Sequence, residues 1–177
     1  VSPAAKNFKE FAADIADICD RFICWQEPSA IAAKLRRWTA LLSSLPVSVV
    51  VEKSREASRL LSKLLSEDFD VVVIDFPHSA ALIELPLAVP SIVFAHNVET
   101  EIFARHATVA RNPVMRMIWK DQERKMERFE RATLRSVDCV LAVSERDADF
   151  MRSHLGLASV ALIRTGVDIE YYPFLAP

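Results

Sequence analysis

Polar residues able to do chemistry stand where short apolar runs stop. Asp75 closes the run that starts at Val71, and His78 follows it; His96, Asn97 and Glu99 follow Ser91 to Ala95. Ser144 and Glu145 follow Cys139 to Val143, and Thr165, Gly166 and Asp168 follow Val160 to Ile163. A histidine ending an apolar strand needs no capping role, and its ring can hydrogen-bond a sugar hydroxyl or a phosphate. His96 is therefore the candidate catalytic group, in competition with a satisfied structural histidine. Asp75 can equally cap the turn after its strand. Ser144 reads first as a helix N-cap, with Glu145 and Asp147 placed to suit the helix dipole. No Ser-His-Asp arrangement and no paired-carboxylate hydrolase site emerges from the spacing.

These groups are far apart in sequence, so the fold must gather them. The four runs are continuously apolar, as strands buried on both faces are. A helical pattern from about Asn112 to Val137 separates the second from the third, and another from Glu145 to Leu155, stopped by Gly156, separates the third from the fourth. Strand and helix in this rhythm predict an α/β fold: an open parallel Rossmann-like sheet with helices on both faces, in one domain over residues 1–177. Ligands of such sheets bind outside the carboxyl ends of the strands, where all the candidate residues fall.

Upstream, the spacing predicts a helix over 4–19, with Phe8, Phe11, Ala12, Ile15, Ile18 and Cys19 inward, and a short strand from Arg21 to Trp25. A helix from Pro28 to Leu42 follows, with Ile31, Leu35, Trp38, Leu41 and Leu42 inward, and a third from Ser54 to Leu65. Val47 to Val51 fits a strand or an extended approach to that third helix. In the charged stretch Lys120 to Arg131, Asp121 with Lys125 and Glu127 with Arg131 are favourable four-apart pairs. Trp119, Met126, Phe129 and Thr133 make a narrow inner face, and the remainder reads as solvated surface.

Composition narrows the function classes. With 51% apolar and 26% charged residues and a net charge of -2, the chain is globular and has no basic field for nucleic acid. A near-neutral total leaves room for a local patch in peripheral contact with a membrane. Cys19, Cys24 and Cys139 form no metal pattern and read as reduced, packed thiols. No apolar run reaches the roughly 20 residues of a membrane helix. No secretory leader pattern opens the chain, and a start at Val1 points to a removed amino terminus. Only two glycines occur, Gly156 and Gly166, so a glycine-rich phosphate loop is absent from this stretch and no cofactor is implied.

Taken in order, several segments resemble the first domain of retaining glycosyltransferases of family four. They are His96-Asn97-Val98-Glu99 after an apolar strand, Arg111-Asn112-Pro113, a charged helix with Glu127, Glu130 and Arg131, Val140 to Asp147, and Gly166-Val167-Asp168 with Tyr172 and Pro173. The match is best from Asp70 to Pro173, in the subgroup whose first domain carries an H-N-V-E motif. The resemblance implies the GT-B fold, two Rossmann-like domains facing across a cleft. It also implies transfer of a sugar from a nucleotide-sugar donor to a glycan or lipid-linked acceptor with retention, in the cytoplasm or against the inner face of the membrane. The first domain mainly holds the acceptor, and the family histidine that reaches the donor sugar matches His96. The other strand-end residues would bind substrate. The family's N-G-V-D motif reads Arg164-Thr165-Gly166-Val167-Asp168 here, with arginine-threonine in place of proline-asparagine. Neither the glycine-rich loop after the first strand nor the second domain's paired glutamates appear, so an N-terminally truncated first domain, inactive alone, is expected.

The rival expectation is a non-catalytic Rossmann-like module for sugar binding or protein contacts. A sheet without its first strands would bare the backbone edge of Val71 to Ile74. Either Arg21 to Trp25, or Val47 to Val51, pairs with that edge, or a second copy of the chain covers it as a homodimer.

Overall fold

A computed structural model describes residues 2–3, 11–25 and 30–166. The chain divides into two compact units, Val1–Asp68 with Ala81–Ile83, and Phe69–Ala80 with Glu84–Pro177.

The second unit holds four parallel strands, β3 (Val72–Asp75), β4 (Ser91–Ala95), β5 (Cys139–Ala142) and β6 (Val160–Leu162), in that order across the sheet. Three further helices of this unit are α5 (Glu99–Val109), α6 (Pro113–Leu134) and α7 (Glu145–Ser153). This is the expected α/β fold, a parallel Rossmann-like sheet flanked by helices. The four apolar runs become its strands because parallel strands lie under helices and need no polar face. Val93, Ala95, Val140 and Ala142 are buried at its centre, with Met126 of α6 and Met151 of α7. Asp138 fixes the start of β4 against β5: its carboxylate accepts from the Ser91 backbone N–H at 2.8 Å and the Ser91 hydroxyl at 2.9 Å. Those bonds hold Asp138 below the usual carboxylate range.

Local rules explain the helix ends. Asn112 caps α6 through Oδ1, which accepts from Val114 N at 2.8 Å, and Pro113 occupies the first turn. Gly156 ends the segment after α7 with φ of 67°. A Cβ there would stand 2.6 Å from Arg135 Nη2, the far end of a side chain that can shift, so it is the conformation that calls for glycine.

The first unit is mainly helical among its described residues: α1 (Ala12–Ile18), α2 (Ala30–Ala40), α3 (Val47–Glu52) and α4 (Arg55–Leu64), with a two-stranded pair of β1 (Ser2–Pro3) and β2 (Cys24–Trp25). Its core is Trp25, Ala57 and Leu82, with Leu60 and Leu61 against it.

Several expectations are corrected here. The strand expected from Arg21 to Trp25 is only Cys24–Trp25, and it pairs with Ser2–Pro3 rather than with β3. Val47 to Val51 is helical in spite of its β-branched residues, which shows packing overriding a weak propensity. So neither local segment repairs the outer edge of β3, where Val73 is 58% exposed. Phe11 and Ile18 of the first helix are exposed, and α1 buries none of its residues. Leu35, Trp38 and Leu42 are exposed too. Helix α2 instead turns Arg36 and Ala40, four residues apart, inward; Arg36 donates to the Val51 carbonyl at 3.4 Å. Phe8, within residues 4–10 of the expected first helix, and Ile31, in the first turn of α2, lie outside the residues whose side chains are described. Helix α5 has no counterpart in the sequence expectation.

Candidate functional site

The parallel register sets Asp75 beside Phe94, and Phe76 N donates to the Phe94 carbonyl at 3.1 Å, one step past the end of β3. Phe76 then takes φ of 63°, a conformation costly for a bulky residue, and turns the chain into the 3-10 helix Pro77–Leu82. His96 follows the last residue of β4, and its ring packs against two phenyl groups. The Phe76 ring stacks at 4.3 Å between centroids with 23° between planes, and Phe94 lies at 4.2 Å and 46°.

The third restraint on His96 is polar. Its Nε2 is 2.7 Å from Asp75 Oδ1. An ionised carboxylate only accepts, so Nε2 carries the proton and donates. In the neutral ring Nδ1 is then an acceptor, free to take a hydroxyl proton in a hydrogen bond. The His96 side chain is 32% exposed and that of Asp75 70%. Asp75 is thus a partner of His96 rather than a turn cap, and neither group is closed off from a ligand.

A few residues further on, the polar groups go inside. Asn97 is exposed, whereas Val98, Glu99 and Thr100 are buried. Helix α5 opens at Val98, which has no capping side chain of its own. Glu130 of α6, 0% exposed, supplies the cap. Its Oε1 accepts from Glu99 N at 2.9 Å, and its Oε2 from Thr100 N at 3.0 Å and Thr100 Oγ1 at 2.6 Å. Burial pushes Glu130 above the ordinary glutamate range, the Thr100 and Glu99 donors pull it back, and nearby Glu101 adds to the rise. His78 and Glu99, both buried, face each other with Nε2 and Oε2 4.0 Å apart. Burial holds the His78 imidazole below its ordinary value, and at that separation Glu99 does not reverse it.

The ends of β5 and β6 gather the remaining candidates. Ser144 caps α7, its hydroxyl oxygen accepting from Asp147 N at 3.1 Å. Glu145 is exposed and accepts from Arg164 Nη2 at 3.3 Å. Thr165 and Gly166 are exposed beyond β6, and Asp168 lies outside the described residues. Arg146 of α7 reaches Glu101 of α5 at 2.6 Å and ties the two helix starts together. No group of three or more His, Cys, Asp or Glu able to hold a metal occurs among the described residues. Their three cysteines are free.

The sequence profile of Glycosyltransferase Family 4 matches residues 47–171, more than half of the chain and all of the strand ends of this sheet. The chain belongs to glycosyltransferase family 4. No curated protein and no solved structure matches it. The family 4 match takes in every candidate residue at the strand ends. It also takes in three groups that sequence reasoning did not assign to the site. Phe76 and Phe94 grip His96, and Glu130 was read as part of a solvated surface. Glu130 had a readable sign: it lies four residues after Met126 and three before Thr133, on the buried stripe of α6. Nothing in the sequence marks Phe76 for a positive φ.

Proposed function

We propose that this family 4 chain is the acceptor-side domain of a retaining transferase of GT-B architecture in the H-N-V-E subgroup. It would move a sugar, in the enzyme that carries both domains, from a nucleotide-sugar to a glycan or lipid-linked acceptor. In that reaction the bond from the anomeric carbon to the nucleotide diphosphate breaks, a bond to the acceptor oxygen forms, and the acceptor proton leaves with the diphosphate. The observation that supports this reading is the fixed ring of His96, set at the carboxyl end of a parallel sheet with its Nε2–H committed to Asp75 and its other nitrogen uncommitted. Such preset orientation is what a group needs in order to bond a sugar hydroxyl without reorganising during the reaction.

The remaining candidates divide by exposure. Asn97, Glu145, Thr165 and Gly166 are open to solvent and suit contact with substrate. His78 and Glu99 are buried, and Ser144 is engaged in its helix cap, so these three suit support of the strand ends. Asp168 keeps the substrate-binding role that the resemblance implies. No helix among the described residues is long and apolar enough to cross a membrane. A nucleotide-sugar donor fits a cytoplasmic reaction, with peripheral contact to the inner membrane face where the acceptor is lipid-linked.

Transferase assays of the two-domain enzyme test the assignment. His96→Ala should lower turnover by about 100-fold or more, while loss of two ring contacts lowers stability by about 1–3 kcal/mol. Full activity in the variant would remove His96 from the site.

A further inference from the structure

The first unit holds a concave site that the transferase reading does not use. A cleft of about 440 Å³ is bordered by Arg36 of α2, by Lys53 and Ser54 at the corner between α3 and α4, and by Arg55, Ser58 and Arg59 of α4. That volume is in the range of small-molecule sites. Among the described residues no carboxylate lines it; Glu52 and Glu56, close in sequence, are not among its walls. Arg36 is half-buried and reaches the Val51 carbonyl. Lys53, Arg55 and Arg59 have no ion pair and no side-chain hydrogen bond among the described residues. Elsewhere Arg21, Lys125, Arg131, Arg146, Arg152 and Arg164 each have a carboxylate partner.

Four cations around one concavity repel one another unless an anion joins them. A carboxylate brings a single charge and leaves most of that repulsion in place. A phosphoryl group brings about -1.5 to -2 and three acceptor oxygens, which suit arginine forks. The hydroxyls complete the set. Ser54 Oγ accepts from Ala57 N at 3.2 Å, so its own proton points elsewhere, and Ser58 stands one turn further along α4.

We propose that this cleft binds a phosphoryl-bearing anion, with Arg36, Lys53, Arg55 and Arg59 neutralising it and the Ser54 and Ser58 hydroxyls donating to its oxygens. The anion comes either from a soluble phosphate ester or diphosphate or from a phospholipid headgroup, and the recognition chemistry is common to both. The site is independent of the role given to His96.

Two probes applied to the whole chain at low ionic strength test the proposal. One is inorganic pyrophosphate, followed by calorimetry and by thermal melting against sodium chloride of matched ionic strength. The other is flotation with vesicles of equal parts phosphatidylcholine and phosphatidylglycerol, with phosphatidylcholine vesicles as the reference. The expected result is saturable binding of at least one probe, weakened about tenfold or more in Arg55→Gln/Arg59→Gln and unaltered in Arg152→Gln. Lys53→Gln, outside the helices, is the second variant and should weaken binding in the same sense. Pyrophosphate binding alone assigns a soluble ligand, vesicle binding alone assigns a headgroup, and both together assign the shared phosphoryl group. Absence of saturable binding to either probe, or binding that the cleft variants leave unchanged, overturns the proposal.

Discussion

His96 and the start of α5 are separated by only a few residues, yet each relies on a carboxylate in a different way. Asp75 holds the His96 ring from a position 70% exposed to water. Glu130 holds the Glu99 and Thr100 donors from a position with no exposure at all. An exposed pair is screened and contributes about 0–1 kcal/mol. A buried acceptor has no water to replace it, so each donor it serves would be orphaned at about 1–3 kcal/mol. Over one short turn, stability is concentrated on the inner carboxylate, and the chemistry proposed for His96 rests on the outer one. Glu130 fixes where the turn lies; Asp75 and the two phenylalanines fix how the histidine on it faces.

Substitution at Glu130 is the strongest way to break this contrast. Glu130→Ala strands three buried donors and should lower the free energy of unfolding by about 3–5 kcal/mol, read from urea midpoints. A loss under about 1 kcal/mol would mean that water or another group serves those donors. Asp75→Ala should change stability by less than about 1 kcal/mol. It should nevertheless abolish the hydrogen-bonded Nε2–H resonance expected for His96, which Asp75→Asn retains because its carbonyl oxygen still accepts. Persistence of that resonance in Asp75→Ala would show that another acceptor orients the ring.

The smallest effect concerns His78. Its lowered pKa means that the folded protein binds a proton there less readily than the unfolded chain. The contribution is therefore fully present above the unfolded value of about 6.5 and declines as pH falls through it toward the folded value. Wild type compared with His78→Gln in denaturant melts across this window should show the wild type losing more stability on acidification. Parallel profiles would leave His78 without this role.

The strands were legible because burial on both faces leaves a continuous apolar run, and Val72–Asp75, Ser91–Ala95, Cys139–Ala142 and Val160–Leu162 all lie within such runs. The Ser144 cap, the Gly156 stop and the Asp121–Lys125 and Glu127–Arg131 pairs were legible because they are local. Helix α5 was not. Its cap comes from Glu130, thirty residues after Thr100, so the usual start residue is missing where a reader looks for it. The exposure of Leu35 and Trp38 was hidden for a related reason: Arg36, polar by type, faces inward to a helix-end carbonyl. In the site, the ends of the strands could be named from sequence. The aromatic grip on His96 could not, since it depends on a backbone turn at Phe76 that residue type disfavours.

That turn has a consequence for how damage at this position would be noticed. A non-glycine residue on the left-handed side carries a penalty of about 1–2 kcal/mol, which Phe76→Gly would relieve. The same change removes a ring stack with His96 of about 0.5–1.5 kcal/mol. The phenyl group is also only 38% exposed, so its lost burial adds to that of the stack; the backbone relief offsets only part of the loss, and a melt would understate how much of the histidine's seat had gone.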